Sequence, residues 1–477
     1  LASGGLMLLQ SRHVPKGSFL KMKLKLMGRA ALLLCASVVV GLGLSSCASS
    51  TLGYLFVTST QYGEVSSLRL DINSGAIKGV SCETHNSNQQ NCNVSSNGAY
   101  PTKLVTAQGN TLMYVLNSAQ NGAQGSVSVL TMGDSGQVYD TGLVYTPYGQ
   151  NPIDMYLNPA GTYLYVLTQY ASPSYSPSCA DTPGTTVPSD PSTCPAAITA
   201  FSIAAKGYLS PVLCNPGEGE SCPNNDFNEF VINYEAGPLN PGYGGNRMIE
   251  SGGYLYILDE KSPAVGSTPA VPEINSRLIE TDGSLSVSLT SGNATTNPAF
   301  VSLSSIASGS FIYVADSGTG LIYTFTANSN GSLNTGTGTG SFCYSLLTGD
   351  PKTSDCTLSP VAQTGTNLPV LLDALYVSGN YLYAADYNNG TIFSFLYTGT
   401  GTYGVTTTSN GGYTELGTNV TCITESSGTP FLYVSGNGNV SGEQVDPNTG
   451  NLSTHDHTTT VANFAGLVPC VVFSSRT

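Results

Sequence analysis

No tryptophan occurs in the 477 residues, and Asp, Glu, Lys and Arg together make up only 9% of them. So little charge argues against long solvated helices, and strong helix formers are scarce throughout. Basic residues are the scarcer sign: 15 Lys and Arg stand against 29 Asp and Glu. A phosphate-binding surface needs clustered Lys and Arg, so nucleic acid is not an expected partner. Cysteine never occurs as Cys-x-x-Cys or in a Cys/His cluster at zinc spacing, so neither a metal site nor a cofactor is expected. Neither a Ser/His/Asp set nor a Gly-rich phosphate loop stands out. The apolar stretch Ala30–Leu44 is short for a membrane-spanning helix.

What the chain has instead is Gly (55 residues), Tyr (28), Ser and Thr, a mixture suited to short strands and tight turns. One phrase recurs seven times. It reads Tyr54-Leu55-Phe56-Val57, Leu112-Met113-Tyr114-Val115, Tyr163-Leu164-Tyr165-Val166, Tyr254-Leu255-Tyr256-Ile257, Phe311-Ile312-Tyr313-Val314, Tyr381-Leu382-Tyr383-Ala384 and Phe431-Leu432-Tyr433-Val434. Repetition at this period fixes an architecture. Around each phrase four strands can be laid out. A first strand (Asn151–Tyr156, Asn297–Val301) leads through a Gly turn into the phrase. A third, often opened by Gly (Gly390–Phe395, Gly125–Val129), leads through a tight turn such as Asn73-Ser74-Gly75 to a short outer strand. The expectation is an all-β, seven-bladed β-propeller of four-stranded antiparallel blades over 48–477. Its first blade lacks an inner strand, and Val468–Phe473 matches that pattern. The C-terminal strand should therefore complete blade 1 and close the ring, which removes an exposed edge.

Residues 22–47 read as an export signal: Lys23, Lys25 and Arg29, the short apolar stretch, then Leu44-Ser45-Ser46-Cys47. Residues 1–21 read as upstream sequence or a start assigned too early. The segment resembles a bacterial lipoprotein signal, which implies lipidation of Cys47 and anchoring in the cell envelope. With Ala48 next, the outer membrane is the expected destination, on its periplasmic or surface face. Six basic and no acidic residues precede Cys47, leaving nine basic against 29 acidic residues and a formal charge of −20. Ten cysteines follow as neighbours, and an even number in an exported chain implies disulfides. The expected pairs are Cys82–Cys92, Cys179–Cys194, Cys214–Cys222, Cys343–Cys356 and Cys422–Cys470, the last locking the ring's joint.

The Tyr-Leu-Tyr-Val phrase, the Gly-opened third strand and the Gly-Ser-Leu turns (Gly283-Ser284-Leu285, Gly331-Ser332-Leu333) resemble the YVTN and lactonase-type seven-bladed propellers. The 6-phosphogluconolactonase-like proteins belong to that group. The resemblance covers Thr51–Phe473 and implies the fold more strongly than an activity. WD40 and kelch patterns fit worse without Trp. Lactonase-like relatives commonly carry a His-Pro-x-Gly turn; here the nearest match is Asn158-Pro159-Ala160-Gly161.

Insertions are expected near 81–100, 171–195, 211–245, 260–273 and 341–368, all on the face where second strands turn into third strands and blades connect. Lys103, Asp154, Arg247 and Asp373 fall near the starts of inner strands, with Phe300, Ile423 and Val471 at matching places. Charges of both signs at a channel mouth could grip a polar ligand or neutralise one another, and both readings stand. Asn117, Asp259, Asp316 and Asp386 follow the phrase at one fixed place, which favours bonds to their own turns over a metal ring. Tyrosines invite a carbohydrate-stacking reading, but packing between blades is simpler. Beyond Cys47 the histidines are His85, His455 and His457, all in expected loops; Glu250 or Glu425 could serve as a base, though no constellation singles them out. The expected function is a monomeric, envelope-anchored binding or scaffolding module. Its partner is an envelope protein or a small polar or carbohydrate ligand; the alternative is a lactonase-like hydrolase of a sugar lactone.

Overall fold

The structure is a computed structural model, described for residues 51–79, 93–107, 109, 111–118, 124–174, 179–180, 194–214, 229–231, 248–259, 273–286, 289–293, 300–305, 311–316, 321–334, 342–345, 351–352, 372–379, 381–387, 390–397, 403–405, 413–414, 420–426, 429–436, 439–453 and 471–475. The expected leader, Cys47, Cys82, Cys92, Cys222, Arg247, Cys356, Cys470 and the three later histidines lie outside these residues.

The phrases form strands because they are apolar on both sides, and a strand buried on both faces tolerates no alternation. Leu112–Asn117, Tyr381–Asp386 and Phe431–Gly436 are buried at every position. The outer strand Val138–Tyr145, with one face toward solvent, alternates instead. Each phrase is the second strand of a small antiparallel sheet, and together the sheets make an all-β propeller. The second sheet, for example, runs Pro101–Ala107, Leu112–Asn117, Ser126–Met132, Val138–Tyr145. The third runs Gln150–Leu157, Tyr163–Tyr170, Ala197–Ile203, Leu209–Pro211. Short extra strands widen some sheets beyond four: Asn93–Ser95 in the first, Phe230–Val231 in the third, Tyr413–Thr414 in the sixth.

The first sheet takes its inner strand from the far end of the chain, as expected. Val471–Ser475 pairs antiparallel with Thr51–Ser59, Val472 opposite Phe56. Inner strands neighbour one another in the order Val471–Ser475, Pro101–Ala107, Gln150–Leu157, Met248–Ser251, Phe300–Ser305, Leu372–Ser378, Val420–Glu425 and back to Val471–Ser475. The larger apolar clusters sit between consecutive sheets. Leu55, Val57, Leu68 and Leu70 of the first sheet pack against Phe431, Tyr433 and Val440 of the last. Tyr54, Phe56 and Val65 pack against Met113, Val115 and Leu130 of the second.

The phrase also carries a brace. Its first residue stacks on a glycine in the turn between the third and outer strands of the following sheet. A Cβ on Gly136 would lie 2.1 Å from the Tyr54 ring, one on Gly283 2.3 Å from Tyr163, one on Gly331 2.2 Å from Tyr254, and one on Gly450 2.2 Å from Tyr381. Phe431 of the last sheet lies on Gly75 of the first in the same way. The third residue of the phrase then donates its hydroxyl to that glycine's carbonyl: Tyr165 to Gly283 at 3.1 Å, Tyr383 to Gly450 at 3.3 Å, Tyr433 to Gly75 at 3.0 Å. These glycines hold φ between +66° and +86°, a region where a side chain is strained as well as crowded. Burial pushes the phenols of Tyr165, Tyr383 and Tyr433 far up, so they stay neutral donors.

Candidate functional site at the upper ends of the inner strands

Inner strands run from one end of the ring, called upper here, to the other. Connections from second to third strands and from sheet to sheet therefore emerge at the upper end. Tight turns such as Asn158–Gly161 and Ala204–Gly207 close the lower one. Near their upper ends five inner strands carry a register shift against the phrase strand: at Pro101/Lys103, opposite Leu167/Thr168, at Phe300/Ser302, at Leu372/Ala374 and at Val420/Cys422. A bulge inserts one residue and re-aims the chain beside it.

The shift corrects the sequence alignment of candidate residues. Lys103 stands opposite Leu116 and Asp154 opposite Leu167, the same place on successive sheets. The residues at that place in the fifth, sixth and last sheets are Ser302, Ala374 and Cys422. Asp373 is instead the inserted residue of its bulge, Phe300 lies before one, and Ile423 lies one residue beyond the shared place. All five strands carry the shift, so the shared place is set by pairing with the phrase strand and not by the count of residues in the sequence.

Lys103 and Asp154 are brought together as an ion pair, with Lys103 about one-seventh exposed (14%) and Asp154 almost wholly buried (1%). The Asp154 Oδ1 atom also accepts the Met155 N–H at 2.8 Å, and Oδ2 accepts the Met248 N–H of the fourth sheet at 2.7 Å. One carboxylate therefore ties three consecutive sheets, and the pair satisfies its charges internally. Around it the Thr102 and Ser118 hydroxyls lie 3.0 Å apart, and Ser118 Oγ donates to the Pro152 carbonyl at 2.9 Å. Tyr100 (φ 56°) and Asn151 (φ 53°) occupy equivalent places, each before a proline and each in the left-handed region. That conformation is disfavoured for non-glycine residues and for residues preceding proline. Asn151 donates its amide to Gln169 Oε1.

Asn117 uses its side chain structurally. Its Nδ2 donates to the Ser96 carbonyl at 3.2 Å and to Ser128 Oγ at 2.9 Å. Asp386 is fully buried, and among the described residues no group of three or more His, Cys, Asp or Glu could hold a metal. Tyr165, Tyr256, Tyr313, Tyr383 and Tyr433 of the phrases are fully buried, so none is displayed as a platform for a sugar. Glu250, opposite Leu255, and Glu425, opposite Leu432, share a register place near the lower ends of inner strands, away from the Lys103–Asp154 pair. Glu250 accepts from Gly253 N–H at 3.0 Å and from the Tyr156 hydroxyl at 3.4 Å. Burial raises the Glu425 carboxyl above the ordinary carboxyl range, opposed by a hydrogen bond from Ser378.

The expected Cys179–Cys194 disulfide is present, with both residues fully buried. Cys214 is disulfide-bonded as well. Cys343 lies on the strand Phe342–Ser345 and Cys422 on Val420–Glu425, but their expected partners lie outside the described residues. Sequence reasoning missed Glu229, a fully buried carboxylate that accepts from Ser172. Its only sequence signal is an acidic residue flanked by Phe227 and Phe230 inside a polar insertion.

A model of the LVIVD repeat matches residues 304–322 and 373–392, two stretches that contain the fifth and sixth phrases. No curated protein matches the chain. Among solved structures, the periplasmic gluconolactonase PpgL of Pseudomonas aeruginosa is similar at 16% identity and TM-score 0.61, over 90% of this chain and 100% of that one. A candidate 6-phosphogluconolactonase of Bacteroides uniformis is similar at 14% identity and TM-score 0.57, over 89% and 100%. A protein of Lactobacillus plantarum is similar at 15% identity and TM-score 0.53, over 89% and 99%. At such identities the likeness is one of fold.

Proposed function

We propose that the chain is a seven-bladed propeller lipoprotein, exported, lipidated at Cys47 and anchored in the cell envelope, that binds a partner through its upper face. It acts as a monomer, and the partner is an envelope protein or a small polar or carbohydrate ligand. Seven blades are supported by the seven phrases, each the second strand of a sheet, and by the unbroken order of neighbouring inner strands. The observation that carries the binding reading is the state of the charges at the upper mouth. Lys103 and Asp154 neutralise one another and serve the Met248 backbone, so they hold the ring together instead of offering an acid and a base to a substrate. Chemistry needs a displayed, correctly protonated group within hydrogen-bond reach of the reacting atom.

A photo-crosslinking residue on the upper face at Ser174, compared with one on the lower face at Ala160, tests the reading in the intact envelope; both positions are exposed. Crosslinks to a defined protein from Ser174 alone support it. Equal or absent crosslinks from both, together with no shift in thermal stability on adding envelope glycans, count against it.

A lactonase-like hydrolysis of a sugar lactone is the second reading, supported by the fold likeness to PpgL, itself named a gluconolactonase. Under it Asp154 and Arg247 would contact substrate, and turnover would vanish on Asp154→Asn and on Arg247→Ala.

A further inference from the structure

Two segments far apart in sequence meet above the third sheet. One follows the strand Tyr163–Tyr170 and contains Ser172 and the Cys179–Cys194 disulfide; the other leads into Phe230–Val231 and contains Glu229. The sulfurs are shut away: Cys179 and Cys194 are fully buried in a small core with Tyr170, Ala171 and Ala197. Glu229 is buried too. Its Oε1 and Oε2 accept the Ser172 N–H at 3.0 and 3.1 Å, and Oε1 accepts the Ser172 hydroxyl at 2.7 Å. Next to it, Phe230 and Val231 pair with Ile198 and Ala197, and the Ala171 N–H donates to the Pro195 carbonyl at 2.6 Å. The Gln150 side-chain amide donates to the Cys179 carbonyl, and Gln150 opens the strand that carries Asp154.

We propose that Glu229 and the Cys179–Cys194 cystine form a two-part latch, in which the carboxylate keeps the cystine closed to solvent and the cystine becomes reducible only after the Glu229–Ser172 contact lets go. The reasoning is steric and electrostatic. Thiol–disulfide exchange requires in-line attack by a thiolate on a sulfur, and a buried sulfur is reached only through local opening. That opening must break hydrogen bonds to a desolvated carboxylate, which are among the stronger contacts available to a loop. The reductant is a dithiol. One of its thiolates attacks a cystine sulfur, releasing one Cys thiolate and forming a mixed disulfide. Its second thiol then displaces the other Cys, so the cystine gains two electrons and two protons while the dithiol becomes a cyclic disulfide. Gln150, which holds the Cys179 carbonyl, stands four residues before Asp154 and links the cystine to the start of that strand. The latch is thus a redox-sensitive element at the upper face, and it stands independently of what that face binds.

The test is the rate at which dithiothreitol reduces this disulfide in the full-length, folded protein, read by alkylation of Cys179 and Cys194 and mass spectrometry. Glu229→Gln and Ser172→Ala are compared with wild type, with hydrogen exchange of Leu112–Asn117 as the check on folding. A rise of roughly tenfold or more in either variant, with that strand still protected, is expected. Should Glu229→Gln fail to fold, Ser172→Ala, which deletes a single hydroxyl, carries the reading alone. Unchanged rates in the folded variants, or wild-type reduction as fast as that of an exposed peptide disulfide, would overturn the proposal. In a Cys179→Ser/Cys194→Ser variant, loss of exchange protection should be confined to residues 170–174, 194–200 and 229–231; full retention there would overturn it equally.

Discussion

Lys103 on the second sheet is ion-paired with Asp154 on the third, and the same carboxylate receives the Met248 N–H of the fourth. Removing one member of a buried pair strands the other, so Asp154→Ala is expected to destabilise the fold by about 3–5 kcal/mol. The combined Lys103→Met/Asp154→Ala change should cost clearly less than the two single changes added together, since the stranded charge is gone. Urea unfolding of the four proteins measures this coupling; strict additivity would mean that the pair does not act as one unit.

Glycines in the lower turns separate crowding from backbone strain. Gly161 holds φ +67° with nothing within 4 Å of where a Cβ would sit, whereas Gly283 holds φ +86° beneath the Tyr163 ring. Gly161→Ala should cost about 1–2 kcal/mol from the left-handed conformation alone. Gly283→Ala adds overpacking and should cost about 2–5 kcal/mol. Thermal unfolding of both variants gives the comparison, and equal losses would show that the ring does not rest on the turn.

Two carboxylates should give opposite pH dependences. Lys78, with help from the Asn73 and Ser74 N–H groups, holds Asp71 down to about 2 from an ordinary 3.8. Its contribution is therefore present above the ordinary value and lost as pH falls through the acid range toward 2. The contribution is modest and weakened by salt, because Lys78 is 46% exposed. Glu425 is raised by desolvation, so its favourable neutral form is present below the ordinary carboxyl value and lost as pH rises through the raised one. Stability–pH curves should show Asp71→Asn weaker than wild type at pH 7 with the gap closing in acid. Glu425→Gln should be stronger at pH 7 with its gap also closing in acid.

The first sheet depends on the end of the chain. Without Val471–Ser475 the strand Thr51–Ser59 would present an unpaired apolar edge. Deleting residues 471–477 is expected to shift the protein toward aggregates in size-exclusion chromatography; an unchanged elution profile would mean that ring closure contributes little.

Much of this architecture was legible in the sequence because it is periodic. The seven phrases located the second strands, Val468–Phe473 read as the missing inner strand and overlaps the observed Val471–Ser475, and Cys179 found its neighbour Cys194. The site was less legible. Lys103 and Asp154 could be named as candidates, but Asp373, Phe300 and Ile423 are not at their place, because the pairing register that decides it leaves no mark in composition. Glu229 was invisible for a different reason. It acts on Ser172, 57 residues away, and only the folded sheet brings the two insertions together. The pairing of Tyr163 with Gly283 was equally hidden, since each half of that brace reads by itself as ordinary core or ordinary turn.

The most direct measurement is hydrolysis of sugar lactones, including a 6-phosphogluconolactone, by the purified chain from Ala48 onward, alongside its Asp154→Asn and Arg247→Ala variants. All three proteins are expected to leave the lactone at the rate of its spontaneous opening in buffer. Turnover by the parent protein that both substitutions abolish, with folding intact, would contradict it and make the upper mouth an active site.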